Sequence, residues 1–232
     1  MLVTMTMRNR KRVKLAFLPA LAAIASVVAT ASDNRHMRVI ELRGSDARVV
    51  SKKSGERPLK EGDEVSEGDA IQTGVKTLVT LALFDGSRLR IAPESRLNLS
   101  SLKGDTRTIV RWDMKLDRGA VSGDIVERDS QKPKSDRGIK LTIETPIAAM
   151  GVRGTRFLYT HEEGNEAGKA ARTEIHTGRG EVLFSKTKDF REDSTVIVGQ
   201  GYWTFLEAKI PKPDGPTKAT EDYEKLLEKN GL

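Results

Sequence analysis

The strongest constraint on the fold lies between Val110 and Asp117, where Val110, Trp112, Met114 and Leu116 alternate with Arg111, Asp113, Lys115 and Asp117. Successive side chains of a strand point to opposite faces, so this run separates into one apolar and one charged side only as β structure; a helical turn would mix the two sets. Val79, Leu81 and Leu83 alternate in the same way, Asp85-Gly86 supplies the residues of a tight hairpin turn, and Leu89 and Ile91 return. Ile139, Leu141 and Ile143 repeat the device, and further strands are predicted at 38–43, 47–50, 97–99, 156–160, 173–177, 181–184, 195–198 and 201–205. About a dozen short strands divided by Gly, Asp, Ser and Pro turns predict an all-β chain. The expected architecture is a jelly-roll-like antiparallel sandwich, with a rolled β-solenoid as the alternative.

Three stretches depart from the two-residue period. The segments 128–138 and 161–172 lack apolar anchors and read as exposed loops. Residues 207–217 contain Pro211, Pro213 and Pro216 and read as a stiff linker, since proline supplies no backbone donor. Residues 218–232 then predict a short C-terminal helix, capped by Thr220, with Tyr223, Leu226 and Leu227 on one face and Asn230-Gly231 as its stop. That face either docks on the sandwich or awaits a partner.

Charge is unevenly placed. Of 40 basic residues, Arg8, Arg10, Lys11, Arg12 and Lys14 stand within the first 31 residues, which contain no acid. The remainder carries 35 bases against 33 acids, a balance that gives no composition-level case for nucleic-acid binding. Behind the basic cluster, residues 15–29 are uncharged, and Ala29-Thr30-Ala31 offers a small-residue cleavage site. This is the pattern of a secretory signal peptide over residues 1–31. Fifteen residues make only about 22 Å of helix, short of the hydrocarbon thickness, so cleavage is expected over a lasting transmembrane span. The mature chain is expected in the periplasm or outside the cell, with a retained anchor as the alternative.

A catalytic constellation is not apparent. Cysteine is absent, which removes disulfides, thiol nucleophiles and thiolate metal sites. His36, His161 and His176 show no helical metal spacing; His161 falls in a predicted polar loop and His176 on the solvent side of its strand. Ser100-Ser101-Leu102-Lys103 matches an S-x-x-K string without its companion element. Gly-Asp pairs, among them Gly68-Asp69, are what hairpin turns require. Glu162 and Glu163 lack an apolar setting that would raise a carboxyl pKa. No enzyme activity, no metal and no cofactor are expected, and a hydrolase acting on wall polymers is the weaker alternative.

One stretch is more particular: Thr145-Pro146, then Gly151-Val152-Arg153-Gly154-Thr155-Arg156-Phe157, read as a strand end, a proline stop, a glycine-bearing crossing and a new strand with Phe157 inward. With it come Leu59, Gly62-Asp63, Val65, Gly68-Asp69 and Ile71; Phe84-Asp85-Gly86-Ser87 and Leu89; Leu116, Gly119 and Val121; and Gly178, Gly180 and Val182. In this order the fragments resemble the FecR domain family over roughly residues 39–205, and the domain is placed at 37–206. The resemblance implies a β-rich binding and signalling module without catalytic residues. Members that sense iron-siderophore uptake carry a cytoplasmic anti-sigma segment and a membrane helix, and the fourteen residues before the apolar stretch are expected to be too few for that segment. The expectation is a free-standing periplasmic FecR-like domain whose partner is an envelope protein or a cell-wall glycan, bound by exposed strand edges and polar loops. The oligomeric state is not read from the sequence. Thr145, Pro146, Gly151, Val152, Gly154, Thr155, Phe157, Asp85, Gly86, Gly68 and Asp69 are expected to be structural. Arg153 and Arg156 are the candidate contact residues, with pairing of Arg153 to Glu144 or Asp124 as the alternative.

Overall fold

The structure is a computed structural model that describes residues 36–52, 54–83, 85–104, 109–127 and 138–232. The expected leader and the loop residues 128–137 lie outside the described residues. Among the described residues seventeen strands and one helix form a two-layered, all-β arrangement, as the alternation predicts. The first sheet runs, in spatial order, through β4 (Glu64–Ser66), β1 (His36–Arg43), β6 (Leu78–Ala82), β7 (Arg88–Ile91), β9 (Ile109–Asp124), β12 (Arg156–Glu162), β13 (Arg172–Arg179), β16 (Tyr202–Glu207) and β17 (Thr217–Lys218). The second runs through β3 (Gly55–Pro58), β2 (Ala47–Ser51), β5 (Asp69–Thr73), β8 (Arg96–Gly104), β9 again, β10 (Leu141–Glu144), β11 (Ala149–Val152), β14 (Glu181–Ser185) and β15 (Thr195–Gly199). The chain passes between layers in single strands and hairpins, the habit of a jelly roll, and every pairing is antiparallel except β9 with β10.

The shared strand β9 explains the continuity. Trp112, Met114 and Leu116 face inward beside β8, and beyond Gly119 the strand pairs with β7 and β12 in the other sheet. Gly119 has φ +92°, and a Cβ there would stand 2.1 Å from the Ser95 hydroxyl, so only glycine permits the change of sheet. Ser95 fastens this corner by accepting from the Ala120 N–H at 2.9 Å, while the Thr73 hydroxyl accepts from the Ser95 N–H at 2.9 Å. One apolar core fills the space between layers, drawing Leu81, Val121, Phe157 and Tyr159 from the first sheet and Ile71, Met114, Ile143 and Phe184 from the second.

The structure corrects several local expectations. Ala149–Val152 is not a bare crossing but strand β11, hydrogen-bonded between β10 and β14. It is buried on both sides, so no alternation marks it. The proline-rich stretch turns back along β16, where β17 pairs with it. The helix α1 (Tyr223–Lys229) starts later than expected, with Asp222 rather than Thr220 accepting from the Glu224 N–H. Of the two fates considered for its apolar face, docking is what the structure holds: Leu226 and Leu227 are buried with Ala92, Ala120 and Leu158 on the outer side of the first sheet.

Candidate functional site

The family-like stretch is built by local chemistry. Past β10, the Thr145 hydroxyl accepts from the Ala148 N–H at 3.0 Å, closing the turn that holds the exposed Pro146 and starts β11. Gly151 lies within β11, where a Cβ would come within 3.0 Å of Ile139 and Phe190. Val152 is buried. Gly154 takes φ +61°, and its missing side chain leaves room for Glu127, whose Cβ would be 2.5 Å from an added one. Thr155 is fully buried, its hydroxyl 3.0 Å from the carbonyls of Arg153 and Glu181. Phe157 then enters the core against Gly123, where no Cβ would fit above its ring.

The turn at Gly154 carries the chain from the second sheet to the first, and this separates the two candidate arginines. Arg153 stays beside the second sheet, donating to the Gly138 carbonyl at 3.2 Å with Glu127 at 3.9 Å. It borders a groove of about 480 Å³ floored by Gly151, Gly180, Leu183 and Gly199. Arg156 faces the outer side of the first sheet, donating to Glu224 of α1 at 2.8 Å and lying 5.4 Å from the Tyr223 ring centre. They therefore do not form a joint fork. Neither Glu144 nor Asp124 pairs with Arg153: Glu144 takes Lys188 at 3.0 Å, and Asp124 takes Arg179 at 2.7 Å.

The Asp-Gly turns carry more than a change of direction. Gly86 has φ +89°, between β6 and β7. Asp85 is buried, accepting from the Ser87 N–H and hydroxyl, each at 2.8 Å, and forming an ion pair with the Lys140 ammonium. Lys140 also donates to the Val126 carbonyl at 2.7 Å and stands over the Trp112 ring at 5.4 Å. This clasp joins the β6–β7 turn to the entry of β10 and so steadies one end of the Arg153 groove. Nothing local marks Lys140, because its partner lies 55 residues away. Gly68, with φ +91°, and Asp69, whose carboxylate accepts from the Ser66 N–H at 2.8 Å, form a simpler turn.

One histidine expectation is overturned and the other is refined. His161 is not in a loop; it ends β12 facing inward, 2% exposed, with Nδ1 2.8 Å from the Thr173 hydroxyl. Burial pushes its pKa below the usual imidazole value, against the raising influence of Glu163, Asp117 and Glu162. His176 lies on the outer face but is mostly covered, its ring stacked 5.4 Å from Trp203. Trp203 continues to Phe205 at 5.9 Å, and the Arg172 guanidinium lies 3.9 Å from the Phe205 centre. Cross-strand register alone assembles this row, so the sequence did not reveal it. A bond from His176, and secondarily Arg172, holds the Glu174 carboxyl below its usual range. Among the described residues no cluster of three His, Asp or Glu side chains is arranged to hold a metal, and no helix is long and apolar enough to cross a membrane.

Comparison with known proteins agrees with this geometry. No curated protein matches the sequence. Two crystal structures of a "putative anti-sigma factor" from Parabacteroides distasonis ATCC 8503 resemble the chain, one at 12% identity with a TM-score of 0.49 and the other at 11% with 0.50. Each likeness covers 68% of this chain, which spans 62% and 63% of the length of those two. At that identity the likeness concerns the fold. Residues 69–182 match the family described as FecR protein, a span that holds the Asp85 clasp, the sheet-changing Gly119 and the whole Thr145–Phe157 stretch. Over that segment the chain matches the FecR domain.

Proposed function

We propose that this chain is an exported, non-catalytic signalling module that receives a protein partner at the cell envelope through the groove beside Arg153. The observation that carries this reading is the placement of the groove. Its floor is made by glycines of the family-like stretch and of the β13–β14 turn, and its rim carries Arg153, Glu127 and Glu181. Small lining residues leave backbone close to the surface, and the charged groups beside Ile139 and Leu183 give orientation to a bound segment. The family match and the fold shared with a protein described as an anti-sigma factor support signalling as the context.

Affinity capture from the native envelope after in-cell crosslinking tests the reading, comparing the intact chain with Arg153→Ala. One membrane or outer-membrane protein recovered by the first and lost by the second is the expected result. Retention on isolated cell wall, with no specific protein, would replace it with a wall-associated structural role. Export has its own check: bulky replacements at Ala29 and Ala31 should leave precursor-sized protein in the membrane.

A further inference from the structure

Each sheet ends in two edge strands, and among the described residues three of the four edges are protected. The strands β4 and β17 have three and two residues, and β3 carries Glu56, Arg57 and Pro58. Short length, charge and proline are the usual defences of an open edge against pairing with another chain. The fourth edge, β15, has none of them: Thr195-Val196-Ile197-Val198-Gly199 is five residues long, uncharged and free of proline. Among the described residues it pairs only with β14. Ile197 is 58% exposed, in the same register row as Leu183 and Gly151 on the outer face of the second sheet.

We propose that β15 is a homodimer interface, in which two copies of this chain pair their β15 strands antiparallel about a two-fold axis at Ile197. The sequence is self-complementary in that register. In register Val196 meets Val198 and Thr195 meets Gly199 through backbone, Val198 being already buried in the core, and Ile197 meets itself, a β-branched pair on the exposed face of the kind that stabilises paired strands. Just outside the strand the chain turns away at the uncharged Ser194 and Gln200, so no like charges oppose. Such a contact is isologous, each residue pairing with its mirror position, which closes the assembly at two copies and leaves no growing edge. The Val198 carbonyl accepts from the Thr177 hydroxyl at 3.1 Å, and its second lone pair serves the ladder. The pairing joins Leu183 and Ile197 of both copies into one apolar row. It also keeps both outer faces on the same side, so the two Arg153 grooves point in one direction and the dimer presents them bivalently.

Sedimentation of the purified full chain over a wide concentration range is the test. A reversible monomer–dimer equilibrium is expected. Ile197→Lys and Ile197→Glu each place like charges against themselves at the axis, and each alone should be monomeric at concentrations where the unaltered chain is dimeric. Mixed together they should restore a dimer, since position 197 pairs only with itself. The site is exposed, so both variants should keep the native melting transition, and a failure to fold would show as its loss. A chain monomeric up to hundreds of micromolar, a dimer unaffected by Ile197→Lys, or a mixture that stays monomeric would overturn the proposal. The groove reaches this edge at Gly199, but Arg153→Ala leaves residue 197 unaltered and Ile197→Lys leaves Arg153 unaltered, so the module reading and the dimer can fail separately.

Discussion

Gly154 combines a left-handed backbone, φ +61°, with a neighbour that fills the space a side chain would need. Gly154→Val should therefore lower stability by about 1–3 kcal/mol in denaturant unfolding, and an unchanged midpoint would remove this account of the motif. Asp85 poses a sharper case. Its side chain is fully buried and that of Lys140 is 11% exposed, so Asp85→Ala leaves an enclosed ammonium with only a carbonyl and an indole face. Breaking a buried pair from one side costs about 3–5 kcal/mol. The double change Asp85→Ala with Lys140→Met should recover part of that loss, a comparison urea unfolding can make. Asp85 was legible as a turn residue because Asp-Gly is a local signal. Its pairing was not, because the identity of a partner 55 residues away depends on the completed sandwich.

Strands showed themselves in the sequence wherever one face is buried and the other wet. The inward Trp112, Met114 and Leu116 of β9 are an example. Five strands escaped: β11 is buried throughout, β4 and β17 have only three and two residues, and β3 and β5 show no clean alternation of buried and exposed positions. The helix α1 was legible through its apolar stripe, although seven residues are too few to be stable alone. Its hold is the burial of Leu226 and Leu227 on Ala92, Ala120 and Leu158. Burying a leucine contributes about 1.5–3 kcal/mol, so Leu226→Asp should undock the helix while the main core, which forms a separate cluster, keeps its cooperative melting transition. Limited proteolysis should then cut between β17 and α1 many times faster, and unaltered cleavage would show that the helix is held by other contacts.

At the scale of the whole molecule, His161 links folding to pH. Its pKa in the folded state lies below the ordinary value of 6.5 because burial disfavours the charged ring. Between those two values the unfolded chain binds the extra proton, so stability falls as pH drops below about 6.5 and levels off under the folded pKa. Melting temperatures measured from pH 7.5 to 5 should decline for the native chain and decline less for His161→Asn; parallel curves would exclude this histidine. The sequence by itself determined the all-β class, the short terminal helix and the positions of the Asp-Gly turns, because these follow from side-chain period and local backbone freedom. It also showed the family-like stretch. Only the tertiary structure decided that Arg153 and Arg156 belong to different surfaces, that His161 is enclosed, and that Lys140 clasps Asp85. The alternation of strands between two sheets separates sequence neighbours across the molecule and brings distant residues within bonding distance, and no local pattern records which strands become partners.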